Sequence, residues 1–345
     1  MRKVCIVGHF AYGKDFTDGQ TVKTYSVDKA LREIYGDSQV DSIDTHGVKK
    51  RFFAFAFSLI KALRTSENIL ILPAHNGVTV IAPILRFFNK FYHRRLHYSV
   101  VGGWLPMFLE KRPKLEKMLK TFDGIYVETK TMQTALCEKG FENVFLVPNF
   151  KALETVTLDS INIMYHEPYR LCTFSRVMRQ KGIEDAIEAI KYVNGLLGRV
   201  VFNLDIYGPI DTAEAEWFDE LTKDLPKYVT YKGVVAPDKS VEVLKDYFAL
   251  LFPTRFYTEG VPGTIIDAYA AGVPVISSRW ESFADVVDDG VSGISYEFGD
   301  VEALKACLVK IAKEPESIIS KKNNCIKKAL EFTPESALGE LLARM

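Results

Sequence analysis

The sequence repeats one pattern along most of its length: a short apolar run, a turn, a helical pattern and another apolar run. Apolar runs of about four to eight residues bounded by turn residues are typical of buried strands. Helical patterns lie between them, for example over 21–35 and 78–90. Strands that alternate with helices form parallel sheets with helices on both faces. The pattern therefore predicts an α/β protein built from doubly wound parallel sheets.

The apolar runs fall into two series. The first comprises KVCIVG (3–8), QVDSID (39–44), NILILP (68–73), HYSVVGG (97–103), GIYVET (124–129) and NVFLVPN (143–149). The second follows a loose polar stretch and comprises YRLCTFS (169–175), VVFNLDIYG (200–208), YVTYKG (228–233), FALLFPT (248–254), GVPVISS (272–278) and GISYEF (293–298). A chain of 345 residues is long enough for two domains. We predict them at 1–160 and 161–332.

The last stretch, TPESALGELLARM (333–345), has the start signal and the apolar spacing of a helix. Such a helix could pack back on either domain. We assign it to the first domain.

The net charge is zero but unevenly distributed. Residues 1–150 contain 22 Lys and Arg against 14 Asp and Glu, and the remainder contains 22 against 30, which gives +8 and −8. In the first half the basic residues cluster with aromatic ones over 49–64 and 86–98. This composition suits an anionic membrane surface or an acidic acceptor, and it equally suits a solvated helix face over a core of Phe. No helix-turn-helix, zinc-finger or RNP pattern points to nucleic acid.

Targeting and metal-binding signals are absent from the sequence. No apolar run approaches the roughly 20 residues that span a bilayer, and no signal peptide precedes VCIVG, so we expect a cytoplasmic location. The cysteines have neither Cys-x-x-Cys nor Cys/His ligand spacing, which predicts neither a disulfide framework nor a zinc site. They are Cys5, Cys137, Cys172, Cys307 and Cys325. No Asp-x-Asp metal signature follows a strand, and we predict no metal and no bound cofactor.

Ligands of doubly wound sheets bind at the carboxyl ends of the strands. After the first strand, the glycines of GHFAYGKDFTDGQTVKT do not fit the dinucleotide fingerprint G-x-G-x-x-G. Gly19 nevertheless stands where a helix should begin, so a phosphate could approach the free N–H groups there. The alternative is a flexible loop with an ordinary helix start.

Two cations follow the first strand of the second domain. Arg176 and Lys181 flank the turn in SRVMRQKGIEDAIEAI and could reach over the strand ends as counter-charges for a diphosphate. Ordinary surface charge is the alternative. Gly208 ends the next strand in LDIYGPI, where it serves turn geometry or shapes a nucleobase pocket.

The stretch TRFYTEGVPGTIIDAY combines two carboxylates with a helix start. Pro262 can occupy the first helical position, which would leave N–H groups free for phosphate oxygens at Gly263, Thr264 and Ile265. Glu259 precedes this helix and Asp267 lies within it, a spacing that suits a sugar–diphosphate–ribose ligand. The alternative is that both acids merely complement the helix dipole.

The order SRVMRQKG, LDIYGP, YKG, LFPTRFYTEGVPGTIIDAYAAGVPVISS and DDGVSG resembles the retaining family 4 glycosyltransferases of the GT-B fold, across most of residues 169–300. The resemblance implies two Rossmann-like domains that face each other across a cleft. It also implies that Glu259 contacts the donor sugar, that Asp267 contacts the ribose, and that Arg176 and Lys181 hold the diphosphate. Asp267 departs from the family's Glu by one methylene.

The first half resembles bacterial capsule, exopolysaccharide and O-antigen transferases of the same family more loosely, through DGQTVKT, VVGGWLP and VPNF. The family often has a His after the strand HYSVVGG, where this chain has Gly102-Gly103-Trp104. Trp104 could stack on an acceptor sugar. His75, at another strand end, could face the acceptor or simply make a loop hydrogen bond.

The resemblance implies transfer of a sugar, with retention, from a nucleotide diphosphate sugar (a UDP- or GDP-sugar) to a hydroxyl of a growing, lipid-linked glycan. An inverting GT-B transferase or a sugar-nucleotide epimerase would share the fold. A nicotinamide oxidoreductase fits the strand pattern but lacks the glycine fingerprint. A non-catalytic partner subunit of the same fold is the alternative outside enzymes.

Overall fold

The computed structural model describes residues 1–13, 19–48, 51–157, 159, 161 and 163–345. The chain forms two compact units: an amino-terminal unit of Met1–Ala152 and Pro334–Met345, and a carboxyl-terminal unit of Leu153–Thr333. The chain thus changes unit before the predicted residue 161. The reason is local, because Leu153 packs on a core of the carboxyl-terminal unit and the Val156 N–H donates to Ala270 O at 2.9 Å.

The amino-terminal unit contains a six-stranded, fully parallel sheet. Its strands are β1 (Arg2–Gly8), β2 (Val40–Asp44), β3 (Ser66–Ile71), β4 (Arg95–Ser99), β5 (Gly124–Val127) and β6 (Val144–Leu146). Its helices are α1 (Gly19–Tyr35), α2 (Phe52–Thr65), α3 (His75–Tyr92), α4 (Leu105–Glu110), α5 (Pro113–Leu119) and α6 (Lys130–Glu138). The strand order is β2-β1-β3-β4-β5-β6.

Apolar strands with helices on both faces give this unit two cores. One core joins the strands to α2 through α6 and includes Leu59, Leu85 and Leu96. The other packs α1 against the opposite face through Val27 and Leu31. Each predicted apolar run of this half overlaps one of the observed strands.

A buried ion pair joins α1 to the residue that follows β5. Lys23 Nζ lies 2.5 Å from Glu128 Oε1 and donates to Val100 O at 2.9 Å. The two side chains are only 1% and 3% exposed. The pair therefore links α1 to the residues that follow β4 and β5 in the chain.

The carboxyl-terminal unit contains a second six-stranded parallel sheet. Its strands are β7 (Tyr169–Phe174), β8 (Phe202–Tyr207), β9 (Val229–Gly233), β10 (Ala249–Phe252), β11 (Val275–Ser278) and β12 (Gly293–Tyr296). Its helices are α7 (Ile183–Leu196), α8 (Ala215–Thr222), α9 (Ser240–Leu244), α10 (Gly263–Ala270), α11 (Phe283–Val286), α12 (Val301–Lys313), α13 (Glu316–Ile319) and α14 (Lys322–Ala329). The order β12-β11-β10-β7-β8-β9 is the doubly wound arrangement.

The strand order reverses between β7 and β10. The loop after β7 leads to α7 and the loop after β10 leads to α10, and the two loops leave the carboxyl edge side by side. Open α/β sheets bind their ligands in the crevice at such a switch point. The topology therefore directs attention to residues 175–182 and 253–262.

The end of the chain forms two short helices, α15 (Pro334–Ala337) and α16 (Gly339–Leu342), where the sequence pattern predicts one. The break lies at Leu338, just before a glycine, a residue of low helix propensity. Leu338, Leu341 and Met345 are buried in the core that also contains Phe150. Arg95 Nη1 donates to the main-chain oxygen of Arg344 at 3.2 Å.

Candidate functional site

A glycine allows the loops after β7 and β10 to pack closely against each other. Gly182 has φ +68°, and a Cβ at this position would stand 1.8 Å from Pro253 O. The Arg255 N–H donates to Gln180 O at 2.8 Å, and Arg255 Nε donates to Asp185 Oδ2 at 2.7 Å. The pKa of the Arg255 guanidinium is raised, chiefly by its hydrogen bonds to Asp185. These contacts fix where the side chains of both loops point.

Lys181 and Glu259 meet at this junction. The Lys181 ammonium forms an ion pair and hydrogen bond with Glu259 Oε1, and the Thr254 hydroxyl donates to the same oxygen at 3.1 Å. Lys181 remains 22% exposed and Glu259 12%, so the pair is desolvated in part yet open to a ligand. A cation and a carboxylate thus share one small region, each able to bind a different part of a polar ligand.

Helix α10 begins beside this pair. Pro262 is its N-cap, with extended backbone, and Gly263 is its first residue, so the prediction of Pro262 in the first helical position is wrong. The Ile265 N–H donates to Pro262 O at 3.0 Å, so Ile265 offers no free donor, contrary to the prediction. Gly263 and Thr264 remain as first-turn residues whose N–H groups have no acceptor within the helix. The Thr264 hydroxyl oxygen is buried and makes no hydrogen bond within the described residues.

The other predicted donor-side residues occupy different environments. Asp267 is only 3% exposed. Arg176 does not contact Glu259; its Nη1 lies 3.4 Å from Asp211 Oδ2, and its side chain is 42% exposed. Gly208 has φ +128°, and a Cβ there would stand 1.8 Å from Ser175 O, so a close approach of two backbones explains this glycine.

Gly19 lies at the start of α1 in the amino-terminal unit, as an exposed residue with room for a Cβ. Residues 14–18 of the preceding loop lie outside the described residues. Near Gly19, His9 Nδ1 is 2.8 Å from Thr21 Oγ1, and His9 Nε2 is 3.3 Å from His46 Nδ1. The carboxyl ends of β1 and β2 thus bring two imidazoles to the start of α1.

Asp44, the last residue of β2, organises the loop after β1. Its carboxylate accepts hydrogen bonds from the backbone N–H groups of Phe10 at 3.0 Å, Ala11 at 3.1 Å, Tyr12 at 3.3 Å and His46 at 2.8 Å. Burial of this carboxyl favours the neutral form, but the N–H donors outweigh it and the pKa of Asp44 lies below its ordinary 3.8.

We expect the loop after β1 to become less ordered when the Asp44 carboxylate is protonated. Because the pKa is lowered on folding, this contribution to stability is present above pH 3.8 and is lost as the pH falls through the folded value. The NMR signals of the Phe10, Ala11 and Tyr12 amides should titrate together with a midpoint below 3.8. At neutral pH, Asp44→Asn should speed hydrogen exchange of these amides about tenfold or more, since hydrogen bonds to a charged acceptor contribute about 1.5–3 kcal/mol.

Asp41→Asn is the matched control, because Asp41 lies on the same strand and pairs with the half-exposed Arg2. It should leave amide hydrogen exchange in the loop after β1 unchanged. Equal acceleration by both variants would contradict a specific role of Asp44.

Trp104, for which we predict a place on the acceptor side, is largely buried. The indole is 8% exposed, its ring stacks on His75 at 3.8 Å between centroids, and its Nε1 donates to Val101 O at 2.7 Å. One face of the indole is therefore covered by His75. His75 is exposed at the start of α3, and burial, together with Arg112, lowers its pKa below 6.5. At neutral pH this imidazole is uncharged and can accept a proton.

Sequence reasoning missed three polar residues at these strand ends: Thr254, Asp44 and His9. Each is the last residue of a strand or lies within two residues of its end. Strand-end position was therefore the available signal.

Comparison with known proteins supports the resemblance for the carboxyl-terminal unit. Residues 168–314 match the family described as glycosyl transferases group 1. The amylovoran biosynthesis glycosyltransferase AmsK of Erwinia amylovora is 26% identical over 162 residues, which is 45% of this chain and 38% of that protein. The putative colanic acid biosynthesis glycosyltransferase WcaL of Salmonella typhimurium is 25% identical over 155 residues, which is 42% of this chain and 36% of that protein. The chain thus matches little more than a third of the length of these relatives.

The fold is similar to a solved structure along the whole chain. Anabaena HepE, crystallised in complex with UDP and glucose, superposes on this chain with a TM-score of 0.75 at 14% identity. The superposition covers 100% of this chain and 100% of HepE. The predicted fold class, a GT-B architecture of two Rossmann-like domains, is confirmed.

Proposed function

We propose that this protein transfers a glycosyl group from a nucleotide diphosphate sugar to a hydroxyl group, with retention, during the synthesis of a cell-surface polysaccharide. The observation that carries the proposal is the Lys181–Glu259 pair at the switch point of the second sheet, beside the start of α10. The family match over 168–314 and the polysaccharide transferases among the relatives support the same reaction.

The two members of the pair suit different parts of such a donor. The Lys181 ammonium supplies positive charge for the diphosphate, and Gly263 and Thr264 supply the N–H groups of the first turn of α10, which have no acceptor within the helix. The Glu259 carboxylate accepts hydrogen bonds from sugar hydroxyls. A bound diphosphate competes for Lys181 and thereby releases Glu259 for the sugar.

The chemical step breaks the bond between the anomeric carbon and the leaving phosphate oxygen and forms a bond to the acceptor oxygen on the same face. The electron pair of the broken bond goes to the diphosphate, and a leaving-group phosphate oxygen takes the proton of the acceptor hydroxyl. Lys181, Arg176 and the start of α10 stabilise this developing charge, which is an electrostatic form of catalysis. These cations do the work for which other transferases use a metal, so we propose that no metal or other cofactor is needed.

Further assignments rest on the resemblance. Asp267, which is 3% exposed, contacts the donor ribose. The amino-terminal unit binds a lipid-linked glycan acceptor, with His75 as a neutral hydrogen-bonding group near it. A cytoplasmic protein at the inner membrane surface fits an acceptor of this kind.

The proposal is tested by thermal unfolding with UDP, GDP, ADP, CMP and their common sugar conjugates, for the wild type and for Arg176→Ala. A ligand that binds only the native state at about 100 times its Kd stabilises by about 2.7 kcal/mol, so one nucleotide diphosphate should raise Tm by several degrees. Arg176→Ala should lose most of this rise. Lys191→Ala, an exposed lysine on α7, is the matched control and should keep it.

The outcomes separate the alternatives. No shift with any nucleotide would contradict the donor site and favour a non-catalytic partner subunit. A shift without glycosyl transfer to any hydroxyl acceptor would favour an epimerase. The anomeric configuration of the product, from the NMR coupling of its anomeric proton, distinguishes retention from inversion.

A further inference from the structure

Two neighbouring helices of the amino-terminal unit, α2 and α3, expose large aromatic side chains to solvent. Phe53 and Phe57 on α2 are 88% and 70% exposed, and Phe87 and Phe91 on α3 are 57% and 73% exposed. A phenylalanine that stays in water forgoes the free energy of burial, so four such residues on two packed helices indicate an interaction surface.

Helical spacing places these side chains on one outward side. Phe55, Leu59 and Leu63 direct the inner side of α2 into the core, and Val78, Ile81 and Leu85 do the same for α3. The opposite stripe of α2 runs Phe53, Phe57, Lys61, Arg64 at intervals of four, four and three residues. On α3 the exposed apolar residues are Val80, Phe87 and Phe91, at intervals of seven and four residues. We call the solvent-facing side of this helix pair the outer face.

The outer face is basic. Helix α2 contributes Lys61 and Arg64, and α3 contributes Arg86 and Lys90, while neither helix contains an Asp or Glu. Within the described part of the chain, the side chains of Lys61, Arg64 and Lys90 form no ion pair. Elsewhere many lysines and arginines have a carboxylate partner, as Arg32 has Asp28 and Lys305 has Glu188. Lys49 and Lys50, at the start of the predicted basic stretch, lie outside the described residues.

An open pocket of about 340 Å³ lies at the end of α3. It is lined by Arg86, Asn89, Lys90, His93, Leu96, Thr121 and Asp123. Its single carboxylate, Asp123, accepts the Leu96 N–H through Oδ2 at 2.8 Å and is outnumbered by the two cations Arg86 and Lys90. Arg86 Nε donates to Thr121 Oγ1 at 3.0 Å, which leaves the other guanidinium donors available. The pocket therefore presents cationic donors with room for a phosphate-bearing group.

We propose that the outer face of α2 and α3 docks on an anionic phospholipid bilayer, with the pocket beside Arg86 and Lys90 holding a lipid headgroup phosphate. Amphipathic surfaces with Phe and Lys or Arg bind at the boundary between headgroups and acyl chains. Anionic headgroups supply the negative charge that these helices lack. No helix of the described residues is long and apolar enough to cross a membrane.

Charge argues for a bilayer over a second copy of this chain. In a symmetric dimer built on the outer face, the same basic patch would meet itself. Repulsion between the paired cations would oppose that contact. The inference stands on the amino-terminal unit alone and does not depend on the glycosyl-transfer reaction.

The test is co-sedimentation of the full chain with vesicles at low salt. The wild type should bind equimolar phosphatidylcholine–phosphatidylglycerol vesicles and not pure phosphatidylcholine vesicles. Lys61→Glu with Lys90→Glu should weaken binding about tenfold or more, because each basic residue near an anionic surface contributes about a factor of five. Phe57→Ser with Phe91→Ser should also weaken it, and should abolish the part of the binding that resists added salt.

Matched controls lie on the carboxyl-terminal unit. Lys191→Glu with Lys227→Glu makes the same change of net charge on exposed residues, and Leu196→Ser with Val200→Ser removes exposed apolar groups. Both should bind as the wild type does. All variants should keep the wild-type Tm without vesicles, since the changed side chains are exposed.

Four results would overturn the proposal. Wild-type chain that stays in the supernatant, or charge controls that lose as much binding as the outer-face variants, would exclude docking through this face. Displacement from vesicles by inorganic phosphate alone at matched ionic strength would indicate a soluble anion as the ligand. A change from dimer to monomer in sedimentation velocity, caused by the Phe variants without vesicles, would assign the face to self-association.

Discussion

Replacing Lys181 with alanine is expected to lower the rate of glycosyl transfer by about 10²–10³-fold, the cost of removing one group that stabilises transition-state charge. Lys181 is the one cation of its loop that the structure pairs with Glu259 among the described residues. The substitution removes the counter-charge for the leaving diphosphate. It also leaves Thr254 as the one described hydrogen-bond donor to the Glu259 carboxylate. The Glu259 side chain is then less firmly oriented toward the sugar.

The kinetic pattern distinguishes this role from simple binding. An interaction that forms mainly in the transition state lowers kcat and kcat/KM together, whereas loss of uniform binding raises KM alone. We therefore expect the main loss in kcat. Lys191→Ala, on helix α7 directly after this loop, should keep wild-type kinetics. A kcat for Lys181→Ala within about threefold of wild type, in a protein with unchanged Tm, would refute the catalytic role.

The positions of the strands could be predicted because strand signals are local. Each of the predicted apolar runs overlaps an observed strand, since an apolar run bounded by turn residues can be buried in few other ways. The order of the strands could not be predicted in this way, because it depends on which strands pair. The switch point between β7 and β10, and hence the meeting of Lys181 with a carboxylate 78 positions away, comes from that order.

The stacking of Trp104 and the bonded N–H of Ile265 could not be predicted, for different physical reasons. The stack of Trp104 on His75 joins the segments that follow β3 and β4. Nothing in the sequence around either residue signals this contact. The N–H of Ile265 is used because Pro262 caps α10 from outside and its carbonyl accepts the first hydrogen bond of the turn. A shift of one residue in a helix start is below the resolution of sequence signals. It nevertheless changes which N–H groups can reach a ligand.

The buried pair of Lys23 and Glu128 leads to the largest expected effect on stability. These residues stand 105 positions apart, so sequence patterns give no sign of their contact. Breaking a buried ion pair by removing one partner costs about 3–5 kcal/mol, because the remaining charge loses its counter-ion in a nearly dry environment. We expect Lys23→Met to destabilise the protein by this amount and to lower Tm by about 10 °C. Thermal unfolding followed by circular dichroism measures the change.

Two further variants separate the ion pair from other roles of α1. Lys29 lies on the same helix and its Nζ is 3.9 Å from Glu33 Oε1, with both side chains more than half exposed, so Lys29→Met should change stability by less than about 1 kcal/mol. Lys23→Met combined with Glu128→Met removes both charges and should recover most of the lost stability, since apolar replacements of buried pairs are often neutral. If the double variant is as unstable as Lys23→Met alone, the loss comes from packing or from the Val100 hydrogen bond rather than from an isolated charge.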